Sequence, residues 1–70
     1  MNLEEIVKYE IDQLRKGARF TSEDIRIFAR VDGFDIDWAR KQTITNVIDK
    51  YCTREKKLSD RDVTVWRNLR

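Results

Sequence analysis

Apolar residues near the start of the chain recur at intervals of three and four, the spacing that places them on one face of an α-helix. They are Leu3, Ile6, Val7, Ile11 and Leu14. Asn2 and Glu5 have the spacing of a capping box, in which Asn2 accepts from an early backbone N–H and Glu5 reaches back. Gly17 suits the position just after a helix. We predict a first helix between Asn2 and Gly17, with one buried face.

The second predicted helix has the clearest start in the chain. Thr21 is expected to be its N-cap, with Asp24 at the third helical position and acidic residues at the positive end of the helix dipole. Phe20 and Ile25 occupy the two positions of a hydrophobic staple. The inner face is predicted to consist of Ile25, Phe28, Ala29 and Val31, widened by Ile27. The pair Asp32-Gly33 is expected to end the helix in a tight turn.

A longer third helix is predicted to begin with Asp35 or Asp37 as its cap and to run to about Glu55. Its buried stripe consists of Ile44, Val47, Ile48, Tyr51 and Cys52. Trp38 and Ala39 lie one or two turns earlier, and we expect them to pack against the second helix.

After Leu58 the pattern changes to that of a β-strand. Residues 59–62 (Ser, Asp, Arg, Asp) are predicted to form a turn, and residues 63–66 are β-branched or aromatic in a row. Because a single strand cannot satisfy its own backbone, residues 56–58 are expected to pair with it as a hairpin. The stretch around Arg19 and Phe20 is a possible third strand.

The predicted order of elements is helix, short capped helix, longer helix and charged hairpin. A winged helix-turn-helix domain has this order, so we predict a mainly α fold with a small β-hairpin: three helices plus a C-terminal wing, forming a single domain over residues 1–70. In that architecture the third helix lies in the major groove of DNA and the wing contacts the backbone beside it.

Composition argues against several classes of site. The chain has 70 residues with one cysteine and no histidine, so an internal disulfide is impossible and a zinc site would lack its usual ligands. Cys52 lies on the predicted buried stripe and is expected to be a small core residue. No apolar run approaches the roughly 18 residues that span a bilayer. We expect a cytoplasmic protein without a membrane segment, a metal or a cofactor.

Catalytic residues are not expected either. Without histidine the commonest general base is missing, and the sequence has no Gly-rich phosphate loop, nucleophile elbow or pair of cysteine ligands. Asp35, Asp37 and Lys41 have the residue types of a metal-dependent nuclease site, but helix capping and dipole compensation explain the same acids. The prediction is a protein that binds and is not an enzyme.

Charge is distributed unevenly along the chain. Residues 1–35 hold six basic and eight acidic side chains, whereas residues 36–70 hold nine basic and five acidic, giving balances of −2 and +4. The exposed face of the third helix is predicted to present Arg40, Lys41, Thr43, Thr45, Asn46 and Lys50. These residue types can contact guanine, adenine, thymine or phosphate in a DNA groove. Further phosphate contacts are expected from Arg54, Lys56, Lys57, Arg61 and Arg67.

A second interpretation of the same charges stays open. Asp49 and Glu55 lie among the basic residues, so Lys50 or Arg54 can pair with a carboxylate at helical spacing and form only a solvated face. Trp38 and Trp66 could stack on bases, but large aromatic residues in a small core more often serve packing.

Three segments resemble small winged helix-turn-helix proteins of phages and other mobile elements. They are Gly17-Ala18-Arg19-Phe20-Thr21-Ser22-Glu23-Asp24-Ile25-Arg26, the pair Trp38-Ala39, and Val63-Thr64-Val65-Trp66-Arg67. The resemblance covers roughly residues 17 to 67 and implies a DNA-binding or replication-associated accessory role.

Two functions follow as hypotheses. The first is a regulatory or replication-associated protein that binds double-stranded DNA with the third helix and the wing, as a possible homodimer. The second is a protein-protein interaction module, such as a phage-type inhibitor or adaptor, which the acidic first half and the exposed-looking Tyr9 and Ile27 favour. Dimerisation through the first helix is compatible with both.

Overall fold

The computed structural model describes residues 1–58 and 63–68, which form a mainly helical chain with a small antiparallel sheet. The elements in chain order are α1 (Leu3–Asp12), β1 (Arg19–Phe20), α2 (Ser22–Val31), α3 (Lys41–Tyr51), β2 (Thr53–Leu58) and β3 (Val63–Arg67). Strand β3 lies between β1 and β2 and is antiparallel to both. The predicted hairpin and third strand are confirmed, while the turn predicted at residues 59–62 lies outside the described residues.

The predicted N-caps of the first two helices are confirmed, but among the contacts of the described chain the reciprocal contact of a capping box occurs only at the second. The side chain of Asn2 accepts a hydrogen bond from the Glu5 backbone N–H at 2.8 Å. At the start of α2, Thr21 Oγ1 accepts from the Asp24 N–H at 3.2 Å, and the Thr21 N–H donates to the Asp24 carboxylate at 2.9 Å. These contacts satisfy backbone donors that have no partner inside the helix, and they fix where each helix begins.

Helix α1 ends at Asp12, earlier than predicted. Gly17 has the expected left-handed conformation, with φ of 83°, but it lies in the connection to β1 and not directly after the helix. Three carbonyl oxygens in the last turn of the helix and just after it have a common donor. Asn68 Nδ2 donates to the carbonyl oxygens of Ile11, Leu14 and Arg15 at 3.4, 3.1 and 3.3 Å.

Both predicted ends of the third helix are wrong, since α3 begins at Lys41 and ends at Tyr51. Asp35 does not cap a helix; its carboxylate accepts from the Asp37 N–H at 3.0 Å and stabilises a local turn. The far end is set by pairing, because Thr53 to Leu58 are taken up by β2.

The core lies between the three helices of the described chain and one face of the sheet. Its buried members are Ile6, Val7, Ile11, Phe20, Ile25, Ala29, Ile36, Ala39, Ile44, Val47, Ile48, Cys52 and Trp66. The stripe predicted for α3 is confirmed, with Tyr51 packed against the core as a partly buried residue. Cys52 is buried, as predicted.

The inner face of α2 is narrower than predicted. Ile25 and Ala29 are fully buried, whereas Phe28 is 37% exposed and Val31 is 80% exposed. Val31 lies about 160° around the helix from Ala29, so both cannot face the same core. Ile27, predicted to widen the inner face, is also exposed.

The two tryptophans have opposite environments. Trp66 is buried, as predicted, and it stacks on Phe20 with 6.4 Å between ring centroids. Trp38 is 69% exposed, so its predicted packing against α2 is wrong. Its indole N–H donates instead to the Asp35 carbonyl oxygen at 2.9 Å, which holds the ring on the connection before α3.

Asn68 joins the end of β3 to the connection between α1 and β1. In addition to its side-chain contacts, its backbone N–H donates to the Ala18 carbonyl oxygen at 2.8 Å, and its own carbonyl oxygen accepts from the Gly17 N–H at 2.6 Å. The residue is 1% exposed. A single buried amide therefore fixes where the last strand meets the first helix.

We predict that Asn68→Ala lowers the free energy of unfolding by about 1–3 kcal/mol, because buried carbonyl oxygens lose their donor. Urea denaturation followed by circular dichroism measures this change. The matched control is Asn46→Ala at an exposed position, where we expect a change within about 0.5 kcal/mol. Equal effects of the two substitutions would contradict the role given to Asn68.

Candidate nucleic-acid interface

Four residues of the predicted DNA-contacting set lie together on the first half of α3. They are Arg40, Lys41, Thr43 and Asn46, and all four are exposed. Arg40 is the N-cap residue and Lys41 the first helical residue. Thr43 and Asn46 lie on the side of the helix turned away from the buried Ile44 and Ile48. Arg40 and Lys41 lie above that buried side and are exposed at the start of the helix.

The entry to α3 is fixed by an arginine from α2. Arg26 donates to the carbonyl oxygen of Ile36 at 3.1 Å and to that of Ala39 at 2.7 Å. Its side chain is only 14% exposed. Hydrogen bonds from a charged donor are among the stronger ones, so the connection before α3 is held on α2 by two of them. The direction in which Arg40 and Lys41 leave the body of the protein is therefore defined.

The start of α3 carries two positive charges, whereas most helices have acidic residues there. Its first turn contains no acidic residue, and Arg40 makes no side-chain cap hydrogen bond. Cations at this end are unfavourable, since the helix dipole places partial positive charge there. In the part of the chain that the structure describes, neither Arg40 nor Lys41 forms an ion pair. An anion bound at this end would relieve the repulsion.

Thr45 does not belong to this face, and its prediction as an exposed residue is wrong. The residue is 7% exposed, and its hydroxyl donates to the Gln42 carbonyl oxygen at 2.9 Å. It lies next to Ile44 on a helix whose buried side is broad enough to include both residues. Gln42 also donates from its side chain to Asn46 Oδ1 at 2.8 Å, leaving the Asn46 amide as a donor on the surface.

Lys50 is engaged with α1. Its ammonium donates to Glu4 Oε1 at 2.6 Å, and the Tyr51 hydroxyl donates to Glu4 Oε2 at 3.2 Å. The hydrogen bond from Lys50 lowers the pKa of the Glu4 carboxyl and in return raises the pKa of Lys50. Lys50 therefore ties the end of α3 to the start of α1.

Arg54 is engaged at the start of β2. Its guanidinium makes two hydrogen bonds to Asp49, at 2.9 and 2.8 Å, and lies 5.5 Å from the centroid of the Trp66 ring. The hydrogen bonds from Arg54 lower the pKa of the Asp49 carboxyl, and the indole N–H of Trp66 acts in the same direction. Through this planar, bidentate pair Arg54 holds β2 against the end of α3.

The remaining predicted phosphate contacts belong to the hairpin. The backbones of Lys56 and Lys57 lie in β2, opposite Val65 and Thr64, and Arg61 lies outside the described residues. Arg67 is exposed in β3, with Arg19 and Thr53 as its cross-strand partners. Because side chains alternate along a strand, Arg67 lies on the sheet face opposite that of the buried Trp66. Since Trp66 faces Asp49 of α3, Arg67 lies on the sheet face turned away from that helix.

Two exposed residues near these surfaces were not among the predicted contacts. Trp38 lies two residues before Arg40, and Arg19 lies opposite Arg67 while pairing with Glu55 at 2.9 Å. The exposure of Trp38 has one signal in the sequence, the neighbouring acids Asp35 and Asp37. The position of Arg19 depends on a strand pairing with residues far along the chain.

Helix α1 contains a buried acidic residue, Glu10. Glu10 is 2% exposed, and its Oε2 has no hydrogen-bond partner in the described part of the chain. Burial, together with the facing Asp32 carboxyl, raises the pKa of Glu10 from 4.5 to about 7. The sequence does hold a signal for it, since Glu10 follows Ile6 and Val7 by four and three residues and so lies on the apolar stripe.

No group of residues suited to hold a metal ion occurs within the ranges the structure describes. Over the same ranges, no helix is both long and apolar enough to cross a bilayer. Comparisons with protein-family models, curated proteins and solved structures found no match to this chain.

We predict that Glu10→Gln makes the protein more stable at neutral and alkaline pH. Since the folded state raises the pKa of Glu10, folding favours the protonated form, and stability is lost as pH rises from about 4.5 to about 7. The variant has no such loss, so its free energy of unfolding should exceed the wild-type value by on the order of 1 kcal/mol near pH 8 and approach it near pH 5. Urea denaturation at both pH values tests this.

The control for this experiment is Glu5→Gln, which neutralises an exposed acid on the same helix. Its difference from the wild type should be the same at both pH values. A Glu10→Gln difference that does not change with pH would show that Glu10 ionises as freely in the folded protein as in the unfolded chain.

Proposed function

We propose that this chain is a winged helix-turn-helix domain that binds double-stranded DNA through the first half of α3. The observation that carries the proposal is the exposed group Arg40, Lys41, Thr43 and Asn46 at the start of a rigidly held helix. The domain would act in regulation or replication, as the resemblance to small proteins of phages and mobile elements implies.

The arrangement of elements supports the proposed class. A helix, a short strand, two further helices and a hairpin, with the last strand in the middle of the sheet, is the layout expected of three helices carrying a wing. One feature departs from a compact helix-turn-helix, in which three or four residues join the two helices. Residues 32–40 form a longer connection here, and Arg26 holds it against α2.

The residue types on α3 match the chemistry of a DNA groove. Arg40 and Lys41 supply cations beside the free N–H groups of a helix start, where phosphate oxygens bind. Asn46 retains an amide donor for a base edge, and the Thr43 methyl can contact a thymine methyl. Lys50 and Arg54, by contrast, stabilise the fold through Glu4 and Asp49 and are assigned no DNA contact in this proposal.

The test is a fluorescence anisotropy titration of labelled duplex DNA at several salt concentrations. We predict that the double variant Arg40→Ala/Lys41→Ala weakens binding about tenfold or more at moderate salt. The slope of log affinity against log salt should also become shallower by about two, one for each lost phosphate contact. The melting temperature should stay close to that of the wild type, because both side chains are exposed.

The matched control is Arg15→Ala/Lys16→Ala, which removes the same charge from exposed positions between α1 and β1. It should change affinity much less than the α3 variant. Equal losses for the two variants would mean that net charge alone attracts the DNA. Absence of binding by the wild type at low salt, or binding that ignores salt, would overturn the proposal and leave the protein-interaction module as the function.

A further inference from the structure

A groove of about 340 Å³ lies between α1 and α2 and combines one buried and one exposed acid with apolar walls. Glu10 and Asp32, with the uncharged Gln13, form its polar part, while Tyr9, Leu14, Phe28 and Val31 supply the apolar part. None of these residues belongs to α3 or to the sheet. The groove is therefore separate from the proposed DNA-binding surface.

Both acids stand where negative charge is least favourable. Glu10 lies in the last turn of α1, and Asp32 is the C-cap residue of α2, so each carboxyl lies at the negative end of a helix dipole. The last turn of α1 contains no basic residue. The basic residue in the last turn of α2, Arg30, is paired with Asp37 at 2.7 Å.

The acids also lack a donor. Glu10 Oε2 is buried without a hydrogen-bond partner in the described chain, and no ion pair to Glu10 or Asp32 occurs there. Two carboxyl groups can hydrogen-bond to each other only while one of them carries a proton. A cation placed between them would compensate both charges and both helix ends.

The apolar walls continue beyond the groove. Tyr9 is 41% exposed, Phe28 37% and Val31 80%. Ile27, one turn before Val31 on α2, is 45% exposed and extends this surface along the helix. Large apolar side chains that are exposed together mark a surface that a partner covers.

We propose that this groove binds a partner polypeptide through a lysine or arginine side chain. The positive group would lie at Glu10 and Asp32, its aliphatic stem would pass Phe28, and the partner's neighbouring apolar residues would cover Val31 and Ile27. The chemistry of the groove calls for a cation on an apolar stem. The apolar surface along α2 extends past the groove, which a free amine would leave uncovered and a polypeptide covers.

The experiment uses the intact protein and three blocked tripeptides as probes, followed through backbone amide shifts in NMR spectra. The probes are acetyl-Leu-Lys-Leu-amide, its analogue with norleucine in place of lysine, and its analogue with glutamate. We expect the lysine peptide to cause saturable shifts in residues 9–14 and 27–32. The norleucine peptide should bind about tenfold or more weakly, since it lacks the charged donor.

The variant Glu10→Gln/Asp32→Asn should bind the lysine and norleucine peptides equally, while its spectrum stays that of a folded protein. The control Glu5→Gln/Glu23→Gln removes two exposed acids outside the groove and should keep the preference for lysine.

Three results would overturn the proposal. The first is equal binding of the lysine and norleucine peptides to the wild type. The second is n-butylammonium binding as tightly as the lysine peptide, which would make the groove a site for small amines. The third is concentration-dependent shifts of the same amides without any peptide, which would make a second copy of this chain the occupant. None of these results depends on whether the protein binds DNA.

Discussion

The buried Trp66 of β3 contacts groups from β1, β2 and α3. Its ring stacks on Phe20 of β1, its indole N–H donates to Asp49 of α3 at 2.8 Å, and Arg54 of β2 covers it. A chain of 70 residues with one cysteine has a thin core and no disulfide to support it. One aromatic side chain that joins all three strands to α3 therefore decides how the helix and the sheet lie relative to each other.

The basic residues on and next to α3 fall into two groups: those with a carboxylate partner and those without one in the described chain. Lys50 and Arg54 have carboxylate partners, Glu4 and Asp49, and serve the packing of α3. Arg40 and Lys41 lie at the other end of the same helix, where the dipole opposes their charge. Of these four basic residues, the two without a carboxylate partner in the described chain thus lie at the start of α3.

Local features could be predicted from the sequence because neighbouring residues determine them. The Thr21 cap, the buried stripe of α3 and the pairing of the hairpin follow from spacing and residue type. Features that depend on distant residues could not be predicted. The start of α3 is set by Arg26, and Lys50 pairs with a residue 46 positions earlier.

The same distinction applies to the exposed surfaces. Periodicity placed Phe28 and Val31 on the inner face of α2 and left Thr45 on the outer face of α3, because hydrophobicity alone does not give the width of a buried face. The Glu10 carboxyl lies on an apolar stripe, but only the approach of Asp32 from another helix makes it a site. The acidic groove thus arises from packing, whereas the basic half of α3 is visible in the sequence.

We propose that the first half of α3 is the surface that contacts DNA. Backbone amide shifts of the intact protein, recorded while duplex DNA is added, show directly which residues the DNA contacts. We predict that the largest changes fall on residues 40–46, with smaller changes along the hairpin. Changes centred on residues 9–14 and 27–32, or scattered over no continuous surface, would contradict it.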